Sequence, residues 1–154
     1  MARAQIGIGA NLGDAAATVQ FAIERLAELG TVTARSALYR TRAWGVTGQP
    51  DFINAAASLE TELGPYALLA ELKRLETEIG RVPTFRWGPR TIDLDILDYA
   101  GVRLDDPELT IPHLRLHERA FALVPLAEIA PAYADLRDAL PAAARNEVER
   151  LAGG

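Results

Sequence analysis

Residues 86–97 read R-W-G-P-R-T-I-D-L-D-I-L. The second half of that run alternates as a strand does. Ile92, Leu94 and Ile96 take one face, and Asp93, Asp95 and Leu97 take the other. Two carboxylates thus share a face, roughly 6.5–7 Å apart, in a segment apolar enough for the middle of a sheet. At an effective dielectric of about 20, their repulsion is about 2.5 kcal/mol before desolvation is counted. A fold gains no stability from such a pair unless a cation neutralises it. Mg²⁺ prefers hard oxygen ligands, commonly one or two protein carboxylates, and leaves its other positions to water and phosphate. The strand alone leaves a second reading open, in which both carboxylates face water on one side of an antiparallel sheet.

Working outward, residues 81–90 (R-V-P-T-F-R-W-G-P-R) carry three arginines and no acid. Pro83, Gly88 and Pro89 mark a loop. A basic loop feeding a strand with paired acids suits phosphate and metal together. Arginines take phosphate oxygens in bidentate fashion, and the acids hold the metal that bridges them.

The whole chain bounds what this stretch can belong to. Its 154 residues fit one domain, read as 1–154. There is no cysteine, which excludes disulfides and thiolate metal sites and suits a reducing compartment. No apolar run reaches the roughly 20 residues that cross a bilayer, and the N-terminus lacks a signal-peptide pattern. A cytoplasmic monomer with no membrane partner is expected. The formal net charge of −5 argues against a nucleic-acid partner, which favours a basic surface. Lys73 is the only lysine, and no G-x-x-x-x-G-K-[ST] segment exists. Any handling of ATP must proceed without a P-loop.

Taken in order, residues 4–10 read as a first strand. Gly7, Gly9 and Gly13 are spaced one residue too long for a dinucleotide fingerprint. A close backbone approach and a tight turn into a helix explain them. Asp14 can cap that helix, Val19, Ala22, Ile23, Leu26 and Leu29 form its stripe, and Gly30 stops it. Residues 31–39 read as a second strand and 41–50 as a loop, where Trp44 is either a lid over apolar surface or a ligand contact. Residues 52–61 read as a third strand. Its core face is Ile53, Ala55, Ala57 and Leu59. Its other face sets Phe52 beside Asn54, which suits a flat heterocycle with a donor–acceptor edge or, more plainly, a half-buried ring and a turn-proximal amide. Gly64 and Pro65 open a second helix with a stripe of Leu68, Leu72, Leu75 and Ile79 and a cap at Gly80. Glu76 sits at the edge of that stripe, where a solvated residue is ordinary. Residues 98–103 read as a hairpin turn, and residues 107–121 lead into a third helix ending at Ile129. A lone His113 is ordinarily a local hydrogen-bonding residue. Residues 141–151 read as a terminal amphipathic helix. The order strand, helix, strand, strand, helix, strand is ferredoxin-like βαββαβ. An α+β fold follows: an antiparallel sheet with helices on one face, plus a hairpin and C-terminal helices.

The run R-W-G-P-R-T-I-D-L-D-I resembles the signature of the 6-hydroxymethyl-7,8-dihydropterin pyrophosphokinases of folate biosynthesis. The resemblance extends from Gly7 to Pro131, through the glycine segment, the Phe52–Asn54 pair, Glu76, and the Thr110, His113, Arg119 and Phe121 approach. It implies transfer of a diphosphoryl group from ATP to the pterin's hydroxymethyl oxygen, with two Mg²⁺ ions held by Asp93 and Asp95. Arg81 and Arg90 would act on the transferring group, and Asp95 is the candidate proton acceptor. The nucleotide would lie near Lys73, Glu76, Trp87, Arg90, Ile96, Thr110, His113 and Arg119. The pterin would lie between Phe52 and Phe121, with Asn54, Thr41, Arg42, Trp44 and Trp87 around it. Departures fall at Pro83, Glu108, Leu114, Arg42 and Lys73, where the family commonly has other residues. Retained activity with altered ATP affinity is expected. Two alternatives remain from the residues alone: a ferredoxin-like module binding RNA or a small effector without catalysis, and a metal-dependent phosphohydrolase.

Overall fold

The computed structural model describes residues 1–42, 51–80 and 92–151. Trp44, Arg81, Pro83, Trp87 and Arg90, and with them most of both expected loops, lie outside the described residues. The elements run β1 (Ala2–Ala10), α1 (Ala15–Arg25), β2 (Thr31–Arg35), β3 (Tyr39–Thr41), β4 (Phe52–Thr61), α2 (Pro65–Ile79) and β5 (Asp93–Tyr99). After these come the short strands β6 (Leu104–Asp105) and β7 (Thr110–Ile111), then α3 (Ala120–Ile129), α4 (Ala134–Asp138), α5 (Ala142–Asn146) and β8 (Glu149–Arg150). β1 lies between β5 and β4, antiparallel to both. β2 and β3 share the far edge of β4, and β8 pairs with β3. Counting β2 and β3 as one interrupted strand, this is the expected ferredoxin-like sheet. Among the described residues, no helix is long and apolar enough to cross a membrane.

The strand parity divides the molecule into two packed sides. Ile6, Leu59 and Leu94 are fully buried on the side covered by α1 and α2, against Ile23, Leu26, Leu68, Leu72 and Leu75. Each such side chain contributes about 1.5–3 kcal/mol when fully withdrawn from water. Asp14 caps α1, accepting the Ala17 N–H at 3.2 Å. Gly80 ends α2, its N–H donating to Glu76 O at 2.7 Å. Both ends fall where the capping residues place them. α3 lies on the opposite side of the sheet, where Leu123 and Leu126 pack on Ala56 and Leu97.

Three expectations are corrected. The second strand does not run unbroken through residues 31–39. Ser36 interrupts it: its Oγ accepts the Ala56 N–H at 2.9 Å, where a backbone carbonyl would otherwise stand, and donates to Ala37 O at 2.7 Å. The turn after β5 forms, with Ala100 (φ 50°) and Gly101 (φ 74°) both left-handed and Val102 N–H donating to Tyr99 O at 2.8 Å. The strand that follows, however, pairs with β7 and not with β5. The outer edge of β5 is already taken, since the Leu94 N–H donates to the Glu76 carboxylate at 2.7 Å and Leu97 O accepts the His113 N–H at 3.0 Å. The C-terminal segment is not one amphipathic helix. α5 stops at Asn146, Val148 is buried, and the chain then joins the sheet as β8.

Candidate active site

On the α3 side of the sheet, β5, β1 and β4 offer unlike side chains; β5 lies at the edge of the sheet and not in its middle, as its apolar face had suggested, because Glu76 and the His113 segment cover its outer side. β5 presents Asp93 and Asp95, and β4 presents Phe52 and Asn54. β1 between them presents Gly7 and Gly9, in register with Asp95 and Asp93 on one side and with Ala56 and Asn54 on the other. Leu97 is the extra residue of a bulge between Ile96 and Asp98, and it is buried toward α3. The two glycines thus floor a trough between polar walls. A Cβ on Gly9 would meet Asn54 Oδ1 at 2.6 Å, and one on Gly7 would meet the Leu97 methyls at 3.2 Å. The sequence reading ascribed these glycines to turn and backbone geometry. Their register opposite Asn54 and the acids makes them the floor of a site as well.

A cavity of about 340 Å³ opens over this floor. It is lined by nine of the expected residues: Thr41, Arg42, Phe52, Asn54, Asp93, Asp95, His113, Arg119 and Phe121. Leu116 and Ala122 join the lining without having been expected there, and their apolar character gave no sign of it. Two buried polar atoms of the wall, Asn54 Nδ2 and Thr41 Oγ1, have no hydrogen-bond partner among the described residues. Buried donors are normally satisfied, so these two suit a ligand with a polar edge. Phe121 is 39% exposed and Arg119 stacks over its ring at 5.7 Å, which leaves an aromatic face and a cation together at the mouth.

Asp93 and Asp95 are half-buried on the cavity wall. Their four oxygens are the hard donors that Mg²⁺ favours. Among the described residues no third His, Cys, Asp or Glu completes a cage. An ion held there keeps most of its coordination for water and phosphate, which fits Mg²⁺. His113 follows the cis Ile111–Pro112 bond, and its Nδ1 is buried without a partner among the described residues. Burial pushes its imidazole below the usual range, with Asp95 opposing the shift and Arg119 adding to it. It is therefore neutral near pH 7 and able to accept or donate one bond at each nitrogen.

Four expected nucleotide residues are not brought to the cavity wall. Ile96 is 3% exposed and packs in the helix-side core. Thr110 sits in the β6–β7 hairpin and donates to Asp106 O at 3.4 Å. Lys73 is exposed and pairs with Glu76 at 3.5 Å. Glu76 is largely buried and accepts the Leu94 N–H between the two aspartates. Burial raises its pKa, and the Leu94 bond and Lys73 oppose the rise. In this position it braces the strand that carries the acids.

With this geometry in hand, known proteins give a consistent comparison. The family described as 7,8-dihydro-6-hydroxymethylpterin-pyrophosphokinase (HPPK) matches residues 5–131. A Methylorubrum extorquens protein named 2-amino-4-hydroxy-6-hydroxymethyldihydropteridine pyrophosphokinase is 51% identical over 133 residues, covering 85% of this chain and 84% of its own length. A Pseudomonas aeruginosa protein of the same name is 42% identical over 162 aligned positions, covering 98% of each. Among solved structures, an HPPK-DHPS crystal structure in complex with substrates superposes with a TM-score of 0.72 at 14% identity. That superposition covers 89% of this chain and 43% of the solved one, and it speaks to the fold alone.

Proposed function

The chain belongs to the 7,8-dihydro-6-hydroxymethylpterin-pyrophosphokinase family, and we infer from that membership and the cavity that it transfers the diphosphoryl group of ATP to 6-hydroxymethyl-7,8-dihydropterin in folate biosynthesis. The hydroxymethyl oxygen attacks the β-phosphorus, the bond from that phosphorus to the α–β bridging oxygen breaks, and AMP leaves. The alcohol proton passes to a base, for which Asp95 is the candidate. The observation that carries the reading is the opposition of two walls across Gly7 and Gly9: paired carboxylates on β5, and beside Phe52 on β4 an Asn54 whose buried amide nitrogen has no partner among the described residues.

In this reading, Asn54 donates to the pterin edge while Phe52 and Phe121 take its two faces, and the Thr41 and Arg42 segment closes the far side. Arg119 and neutral His113 bind phosphate oxygens at the mouth. Asp93 and Asp95 hold Mg²⁺, two ions in our proposal, which when bound neutralise the triphosphate and ease charge development on it. Arg81 and Arg90 supply the cations that meet the transferring group, Trp44 and Trp87 are proposed contacts of the pterin, and Trp87 and Arg90 are also proposed contacts of ATP. Lys73, Glu76, Ile96 and Thr110 remain proposed neighbours of the nucleotide, now with Glu76 acting through the backbone of β5. A single domain over 1–154, action as a monomer and cytoplasmic residence belong to the same proposal. The family match does not favour the non-catalytic RNA- or effector-binding alternative.

Nucleotide product analysis tests the function. With ATP, Mg²⁺ and the pterin alcohol, AMP and the pterin diphosphate should form together, and only when the alcohol is present. ADP as the sole nucleotide product, or ATP cleavage without the alcohol, would overturn the reading.

A further inference from the structure

Two walls of the cavity come from distant parts of the chain: Thr41 and Arg42 from the end of β3, and Arg119 and Phe121 from the start of α3. Behind the cavity a single carboxylate joins the two elements. Glu128 lies on α3 two turns beyond Phe121. Its two oxygens accept the Ala37 N–H at 3.1 and 3.3 Å, and one also accepts the Tyr39 O–H at 2.5 Å. Ala37 falls in the break between β2 and β3, where its N–H turns from the sheet toward α3. Ala37 and Tyr39 are each 6% exposed, and with Val148 they pack on Ala120 and Val124 of α3. From the other edge, β8 pins the same segment: Leu151 N–H donates to Leu38 O at 2.9 Å, and Tyr39 pairs with Arg150. Both β8 and Leu151 lie beyond residue 131, where the family match ends.

Glu128 itself is exposed. Water can therefore replace it as an acceptor for two buried donors, at modest cost. Water cannot tether α3 to β3. A contact that merely satisfies donors and a contact that sets the spacing of two walls thus make different predictions on removal.

We propose that Glu128 is a positioning residue for the pterin: through Ala37 and Tyr39 it fixes the distance between the β3 wall and the α3 wall, with β8 holding β3 from behind. The proposal rests on the reading of this cavity as the pterin site. Small displacements of positioning groups are costly because binding and reaction depend on alignment.

The test is steady-state kinetics on the full chain, with KM for the pterin and KM for ATP measured separately, alongside thermal unfolding. Four variants are compared: Glu128→Ala, Glu128→Gln, Leu151→Pro and, as a reference for the site, Asn54→Ala. Glu128→Ala should raise the pterin KM about tenfold while the ATP KM moves less than about twofold, with an unfolding midpoint close to wild type. Glu128→Gln keeps one acceptor oxygen and should recover part of the loss. Leu151→Pro removes the donor to Leu38 O and should shift the pterin KM in the same direction, by less. If Asn54→Ala weakens pterin binding while Glu128→Ala leaves it unchanged, or moves both KM values equally, the brace is refuted and the site reading stands. If Asn54→Ala also leaves pterin binding unchanged, the pterin reading itself fails, and the brace with it.

Discussion

The same three strands build two unlike surfaces. On the helix side, Ile6, Leu59 and Leu94 close against the apolar stripes of α1 and α2. One residue along from Ile6 on β1, from Ile53 on β4 and from Leu94 on β5, the other side presents glycine, asparagine and aspartate around a cavity. A strand's period of two puts adjacent residues in opposite environments, so β1, β4 and β5 each carry stability on one face and chemistry on the other. The two duties are separable by mutation in a way that a helix, with its broader buried stripe, does not permit.

The largest test of that separation is Asp95→Ala. Loss of a ligand from a two-carboxylate site should lower kcat by roughly three orders of magnitude, while the unfolding midpoint stays at or above wild type because a like-charge neighbour has gone. Asp93→Ala should behave alike, and chelation of divalent ions should bring the wild-type rate to the same floor. Near-normal turnover in both variants would break the metal assignment. The converse is Leu59→Ala on the other face. It should cost about 2–5 kcal/mol in chemical denaturation, with kcat per folded molecule nearly unchanged. A collapse of kcat in fully folded Leu59→Ala would show that the faces are not independent.

Gly9→Ala sharpens the comparison on the site face. Its added Cβ would stand 2.6 Å from Asn54 Oδ1, so the amide must move. Calorimetry should show pterin binding weakened about tenfold, equivalent to about 1.4 kcal/mol, and ATP binding little changed. Unaltered pterin affinity would remove Asn54 from the recognition edge. The smallest effect concerns a proton. Burial, and then the bond to Glu128, push the Tyr39 hydroxyl up to about 12, against about 10 in an unfolded chain. Between these values the folded protein holds a proton that the unfolded chain has lost, so stability falls as pH rises through that window. Tyr39→Phe should remove this share of the alkaline loss, and identical slopes of stability against pH would count against the burial of that hydroxyl.

Much of the fold is local, and to that extent it can be read from residues. The alternation in residues 92–97, the stripe of Leu68, Leu72 and Leu75, and the caps at Asp14 and Gly80 each fix an element from its own neighbours. The opposition of Phe52 with Asn54 to Asp93 with Asp95 also follows, once β1 is known to lie between them. What eluded the sequence reading depends on partners far along the chain. Ser36 breaks a strand because its hydroxyl meets Ala56. Residues 149–150 become a strand because β3 has a vacant edge to offer. Leu104 does not pair with β5 because Glu76 and His113 are there first. Gly7 and Gly9 were visible as glycines, but their task appears only in register with Asp95 and Asn54. Glu128 carried no signal at all, being one more acid on an exposed helical position.

The guarded outer margin of β5 has a consequence for the protein in a crowded solution. A terminal strand with open amides invites a second molecule to extend the sheet, the first step toward aggregation. Here a side-chain carboxylate holds the Leu94 N–H and a loop amide occupies Leu97 O, so the strand bearing the acidic pair offers no free template at those positions. Stripping Glu76 of its charge and length would expose that margin, and the first sign would be association between copies rather than unfolding of one.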